Sequence, residues 1–146
     1  MGEDLRDSTL SDDLSFLLAR ASAVSVAAGN AALAPHGLRV RSYSVLSVVA
    51  EGARPTQREL AEYLRLDPSQ VVAIVDDLEG RGLVERIPDP ADRRAKIVTA
   101  TEAGVRLQAD ASADARAAER RTHGSLDVGD LPRIVELLRG LAFPDA

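Results

Sequence analysis

The 146-residue chain has no cysteine and no tryptophan. Without thiols it can form no disulfide, bind no metal through thiolate and sense no oxidant through sulfur. Aromatic residues make up 3% of the chain, two Tyr and two Phe, so a pocket that stacks a ligand among several rings is not expected. The two histidines, His36 and His123, are too few and too far apart for a metal site. No metal and no cofactor is therefore expected. Lys96 is the single lysine beside 17 arginines and 24 alanines, a bias more in keeping with a GC-rich genome than with a function. No apolar run approaches ~20 residues, so no transmembrane helix is expected. The start, MGEDLRDSTLSDD, is acidic and polar and has neither the basic start nor the apolar block of a secretory leader. A cytoplasmic location fits these absences best.

Hydrophobic residues make up 45% of the chain, enough for one domain with a core over 1–146. The net charge of −5 argues against a nucleic-acid partner at face value, but its distribution matters more. Residues 1–35 carry 5 acids and 2 bases, and residues 102–146 carry 8 and 6. The middle, 36–101, is balanced at 10 and 10. A DNA-binding centre between acidic helical arms is compatible with that pattern.

Ser11 is the expected cap of a first helix to Leu33, with Asp12 and Asp13 in its first turn. Leu14, Leu17, Leu18, Ala21, Val24 and Ala28 follow at helical spacing, and Pro35 ends the run. A second helix starts near Leu38 and stops before Gly52. Thr56 and Glu59 form a capping box ahead of a short third helix carrying Leu60, Ala61 and Leu64. Asp67 caps a fourth, with Pro68 at its first position, where the missing N–H costs nothing. Val71, Ile74, Val75 and Leu78 are its inward stripe. Leu83–Ile87 and Lys96–Ala100 read as strands around the turn-rich PDPADRRA. A long helix runs from Thr101 to about Arg121, a break falls at His123–Gly124, and a last helix spans Leu131–Leu141. The fold class is mainly α with a small β-hairpin wing, a winged helix-turn-helix at 38–101 flanked by helical dimerisation regions at 10–34 and 102–142. The apolar stripes of the terminal helices outnumber the body available to cover them, which favours a two-fold homodimer over an intramolecular three-helix packing.

In a helix-turn-helix the second helix enters the major groove. Its outward positions are Ser69, Gln70, Val72 and Ala73. Gln70 suits a bidentate contact with adenine, and Val72 and Ala73 suit thymine methyls. The bland alternative is a set of ordinary first-turn surface residues. At the hairpin tip Arg93 and Arg94, with Lys96 behind them, suit a minor groove, and Asp92 is placed to orient one guanidinium. Arg54, Arg58, Arg65 and Arg86, with Arg39 or Arg41, are the candidate phosphate contacts.

The run RELAEYLRLDPSQVVAIVDDLEGRGLVERIPDPADRRAKIVTATEAG resembles the MarR family of bacterial transcriptional regulators in its helix-turn-helix, its DRR wing and its T-E-A-G helix start. Upstream, APHGLRVRSYSVLSVVAEGARPTQ resembles the family's second helix, and the resemblance extends over about residues 10–141. It implies a homodimer with interdigitated terminal helices on a palindromic operator in double-stranded DNA. It also implies repression until a small ligand, often an aromatic acid, releases the DNA. Two positions depart from the family pattern: Arg65 stands where the turn usually has glycine, and Ala73 where arginine is frequent. The recognition helix also carries four acids, Asp67, Asp76, Asp77 and Glu79, and one base.

A small-molecule effector between the dimer helices and the DNA-binding lobe would draw on Arg20, Asn30, His36, Arg41 and Tyr43. Arg20 or Arg41 would pair with a carboxylate. The competing function is a winged-helix dimer that binds protein and has little or no DNA affinity. An enzyme is the third reading, disfavoured because no cysteine, no histidine with an evident nucleophile partner and no glycine-rich phosphate loop is present.

Overall fold

The computed structural model describes residues 3–145. Met1, Gly2 and Ala146, included in the expected domain, lie outside the described residues. A short α1 (Glu3–Arg6) and a 3₁₀ turn (Thr9–Asp12) lead into α2 (Leu14–Leu33). Ser11 does not cap this helix. Its hydroxyl donates to the Ser8 carbonyl at 2.7 Å, and Asp13 takes the cap by accepting from the Phe16 N–H at 2.7 Å. A carboxylate at the positive end of a helix is the stronger cap. The chain then turns through Ala34–His36 and Gly37, at φ 66°, into α3 (Val40–Ala50).

The next three elements follow their local signals. Thr56 and Glu59 close a reciprocal capping box on α4 (Gln57–Leu64), with bonds of 2.7 and 3.2 Å. Arg65 ends α4 at φ 55°, the one non-glycine residue with positive φ among the described residues. There it lets Leu66 N–H reach the Ala61 carbonyl at 3.0 Å, the bond that closes a helix C-terminus through a left-handed residue. Asp67 caps α5 (Pro68–Gly80) through the Ser69 N–H at 2.8 Å. Gly82, at φ 71°, turns the chain out, and Leu83 N–H closes the helix end on the Leu78 carbonyl, so β1 begins one residue later than expected, at Val84–Pro88. β1 pairs antiparallel with β2 (Lys96–Ala100), Val84 opposite Ala100 and Pro88 opposite Lys96. Val98 N–H also bonds the Pro55 carbonyl at 2.8 Å, which fixes the hairpin to the start of α4.

Thr101 caps α6 (Glu102–Thr122), and α7 (Leu131–Ala142) follows. The core lies within the winged unit, where Leu38, Val45, Leu46, Leu60, Val71, Val75, Leu78, Val84 and Val98 are buried. Ala111 on α6 seals it from the side of the long helix. Gly104 permits the closest approach, since a Cβ there would lie 2.0 Å from the Leu83 carbonyl oxygen. α6 packs along α2 and α3, and Ser25 Oγ lies 2.9 Å from His123 Nε2 where α2 meets the end of α6. The sequence offered no evident nucleophile partner for either histidine, and Ser25 lies 98 positions from His123.

The terminal helices leave much apolar surface uncovered. Leu14, Leu17, Leu18 and Val24 of α2 are exposed, and no residue of α7 is buried. Leu14–His36 is a longer apolar stretch than the sequence reading recognised, and α2 within it packs along α6. Arg20 is its one permanently charged side chain, and the serines and alanines between the leucines had masked its apolar character. At the far end Phe143 stacks on Tyr63 of α4, ring centroids 5.8 Å apart.

Candidate nucleic-acid interface and effector cleft

The acids of α5 have internal roles. Asp67 accepts from the Ser69 hydroxyl and N–H, which hold its carboxyl below the usual carboxylate range. Asp77 pairs with Arg81 one turn on, at 3.7 Å. Asp76 and Glu79 both bind Arg86 of β1, at 2.6 and 2.9 Å. Gln57 Oε1 accepts from Arg86 Nε at 2.9 Å, and Glu79 also accepts from the Arg86 backbone N–H at 3.0 Å. The Arg86 side chain is only 15% exposed. Its expected role on phosphate is therefore corrected: its guanidinium fastens the hairpin to α5 and to the start of α4.

The first two turns of α5 present uncharged residues, while Asp76 and Asp77 stay exposed further along the helix, each in an ion pair. Ser69, Gln70, Val72 and Ala73 are all exposed in those first turns. Around them Arg54, Arg58 and Arg65 are exposed and carry no ion pair among the described residues. Arg93, Arg94 and Lys96 are likewise exposed and unpaired on the wing. Asp92 does not orient a guanidinium; its Oδ1 accepts the backbone N–H of Arg94 at 3.0 Å. Together with the Asp89 bond to Ala91 N–H, at 2.9 Å, this shapes the tip and leaves both arginine side chains unpaired. Glu59, inside its capping box, is held below the usual carboxylate range by the Thr56 N–H and hydroxyl. The neutral total over 36–101 thus conceals several unpaired cations beside acids engaged in caps and internal pairs, while Glu51, Glu62 and Glu85 stay exposed and without an ion pair among the described residues.

A cleft of about 490 Å³ opens between α2, the start of α3 and α5, lined by Val26, Asn30, Arg39, Val40, Arg41, Ser42, Gln70, Ala73 and Ile74. Of the five residues expected around an effector, it brings together Asn30 and Arg41. Arg20 lies instead on a separate hollow with Leu5, Arg6, Leu10 and Phe16. His36, 17% exposed at its side chain, bonds Asp114 of α6 at 2.6 Å. Its carbonyl, with that of Gly37, accepts from Arg81 at 2.9 and 2.8 Å. Tyr43 packs against the core. Sequence reasoning missed Val26 as a wall and Arg39 as a cleft residue. The Arg-Val-Arg run at 39–41, where a helix begins after a left-handed glycine, was the available signal.

The polar side chains of the cleft share one property. Asn30 Oδ1 accepts the Val40 N–H at 2.8 Å, and Gln70 Oε1 accepts the Asp67 N–H at 3.3 Å. Each amide thereby commits its oxygen and keeps its NH₂ group as a donor. Ser42 Oγ is occupied by the backbone N–H and carbonyl of Arg39, at 2.9 and 3.1 Å. Arg39 and Arg41 can only donate, and no carboxylate lines the cleft. Such a site suits a ligand with an apolar body and accepting or anionic oxygens.

Three comparisons bear on this geometry. Residues 36–95 match the family model described as MarR family. The HTH-type transcriptional repressor NicR of Pseudomonas putida is 33% identical over 103 residues, 70% of this chain and 65% of that protein. CouR from Rhodococcus jostii RHA1, solved bound to p-coumaroyl-CoA, is 46% identical with a TM-score of 0.85, covering 96% of this chain and 99% of that one. A transcriptional repressor CouR bound to a 23-mer DNA duplex is 30% identical with a TM-score of 0.83, covering 91% and 94%.

Proposed function

Because the chain belongs to the MarR family of transcriptional regulators, we propose that it acts in the cytoplasm as a homodimer that binds a palindromic operator and represses nearby genes until a small ligand fills the cleft. The observation that carries this reading is an exposed, uncharged start of α5, Ser69 to Ala73, in a winged unit whose Arg54, Arg58, Arg65, Arg93 and Arg94 are exposed and without an ion pair among the described residues. Phosphate contacts from these arginines supply affinity, and Ser69, Gln70, Val72 and Ala73 supply the base contacts. Residues 38–101 form the DNA-binding lobe. Residues 10–34 and 102–142 form the dimerisation region, where the exposed leucines of α2 and α7 cover one another across a two-fold axis.

The ligand we propose is an aromatic acid or its thioester, its ring against Val26, Val40 and Ile74 and its oxygens on Arg39, Arg41 and the amide of Asn30. The relative solved with p-coumaroyl-CoA supports the thioester form. The acidic recognition helix was the best support for a protein-binding module without DNA affinity, and its acids are engaged internally. The Ser25–His123 contact ties two packed helices, so a regulator without catalysis is the reading we adopt. The test is calorimetric titration of the dimer with p-coumaroyl-CoA and with free p-coumarate. Binding of either that weakens tenfold or more in Arg41→Ala supports the cleft; unchanged binding in that variant rejects it.

A further inference from the structure

Gln70 stands at the junction of three surfaces. The residue lies in the first turn of α5, lines the cleft, and is exposed on the side that the reading above turns toward DNA. Its Oε1 holds the Asp67 N–H at 3.3 Å, the long end of the range for such a bond. Reading adenine takes both ends of the amide, the oxygen for N6–H and the NH₂ for N7. The side chain therefore has to leave the capping box to read a base. A weak cap bond makes that exit inexpensive in the free protein.

Building on the ligand reading above, we propose that Gln70 is the switch between ligand and operator. A ligand oxygen that accepts from the Gln70 NH₂ holds the amide in its capping rotamer, pointed into the cleft. The residue then cannot present both ends to a base. Occupation of the cleft thus removes direct readout at its source, residue by residue, with no movement of the two lobes required. Asn30, across the cleft, supplies the second NH₂ donor and fixes the ligand's register, because its own oxygen is committed to α3.

The experiment measures operator and scrambled-duplex affinity by fluorescence anisotropy, with and without saturating p-coumaroyl-CoA, for the parent, Gln70→Ala and Gln70→Glu. Glu keeps an oxygen for the cap and removes the donor, so it controls for loss of helix capping. In the parent, ligand should cut the preference for operator over scrambled duplex by about a hundredfold, tenfold for each half-site. Both variants should start with that preference already reduced, and ligand should change it less than about threefold. Calorimetry should show that both still bind the thioester, more weakly than the parent. A variant that binds ligand and loses operator by the parent's factor overturns the switch and leaves the functional reading standing. Failure of the parent to bind either aromatic probe overturns both.

Discussion

Arg86 on β1 reaches Asp76 on α5 at 2.6 Å, an ion pair between the wing and the helix that reads DNA. With Glu79 and Gln57 as further partners, this guanidinium ties the wing to both helices of the helix-turn-helix. A planar fork with several acceptors is a task for arginine that lysine's single ammonium does not fulfil.

Arg86→Ala should therefore destabilise the fold by about 1–3 kcal/mol, the range for hydrogen bonds to charged groups in a half-buried setting. Arg86→Lys should recover less than half of that. Urea denaturation followed by circular dichroism measures both. If Arg86→Ala unfolds with the parent's midpoint while DNA binding falls, the residue is a phosphate contact after all.

Arg94 and Gln70 should separate affinity from preference. Arg94→Ala should weaken operator binding about tenfold or more and lower the salt slope by about one. Gln70→Ala should change the slope little and mainly relax discrimination against substituted operators. Anisotropy titrations between low and physiological salt read both quantities, and a parent-like Arg94→Ala affinity at physiological salt would remove the wing from the interface.

Arg65 holds a left-handed conformation, at φ 55°, that costs a non-glycine residue about 1–2 kcal/mol. Arg65→Gly should raise the midpoint of thermal unfolding and at the same time weaken DNA binding through loss of an unpaired cation near the backbone. The two effects have opposite signs, so a variant that is both less stable and unchanged on DNA contradicts the account of this turn.

Glu59 and Asp67 are both held below the usual carboxylate range by the cap bonds they accept. A lowered folded pKa means stability that is fully present above the unfolded value, about pH 4, and is lost as pH falls through the folded one. The two helices of the DNA-binding motif should therefore loosen on the acid side and not on the alkaline side. Asp67→Asn caps without titrating, so its melting temperature should fall less steeply than the parent's between pH 5 and 2. Parallel acid limbs would show that the Asp67 cap does not contribute to acid unfolding.

Much of this fold was legible because its signals are local. Thr56 with Glu59, Asp67 with Pro68, and Thr101 each mark a helix start within three or four residues, and the structure places a cap at each. The left-handed turn at Arg65 was readable from the residue that replaces glycine. Contacts across the chain were not legible. Arg86 is separated by 7, 10 and 29 positions from the partners that consume it, so its charge counted as free in sequence and is not free in the structure. The same applies to Asp76 and Glu79, whose partner Arg86 lies on the next element. Asp13 displaced Ser11 as a cap because the Ser11 hydroxyl donates to the Ser8 carbonyl three residues earlier.

The central claim is that this chain recognises a specific duplex through α5 and the wing. Footprinting the purified protein on the DNA upstream of its own coding region tests it most directly. The account predicts a protected palindrome with half-sites one helical turn apart, lost steeply as salt rises and lost on Arg93→Ala/Arg94→Ala. Uniform protection without a palindrome, or a footprint that survives removal of both wing arginines, would contradict it.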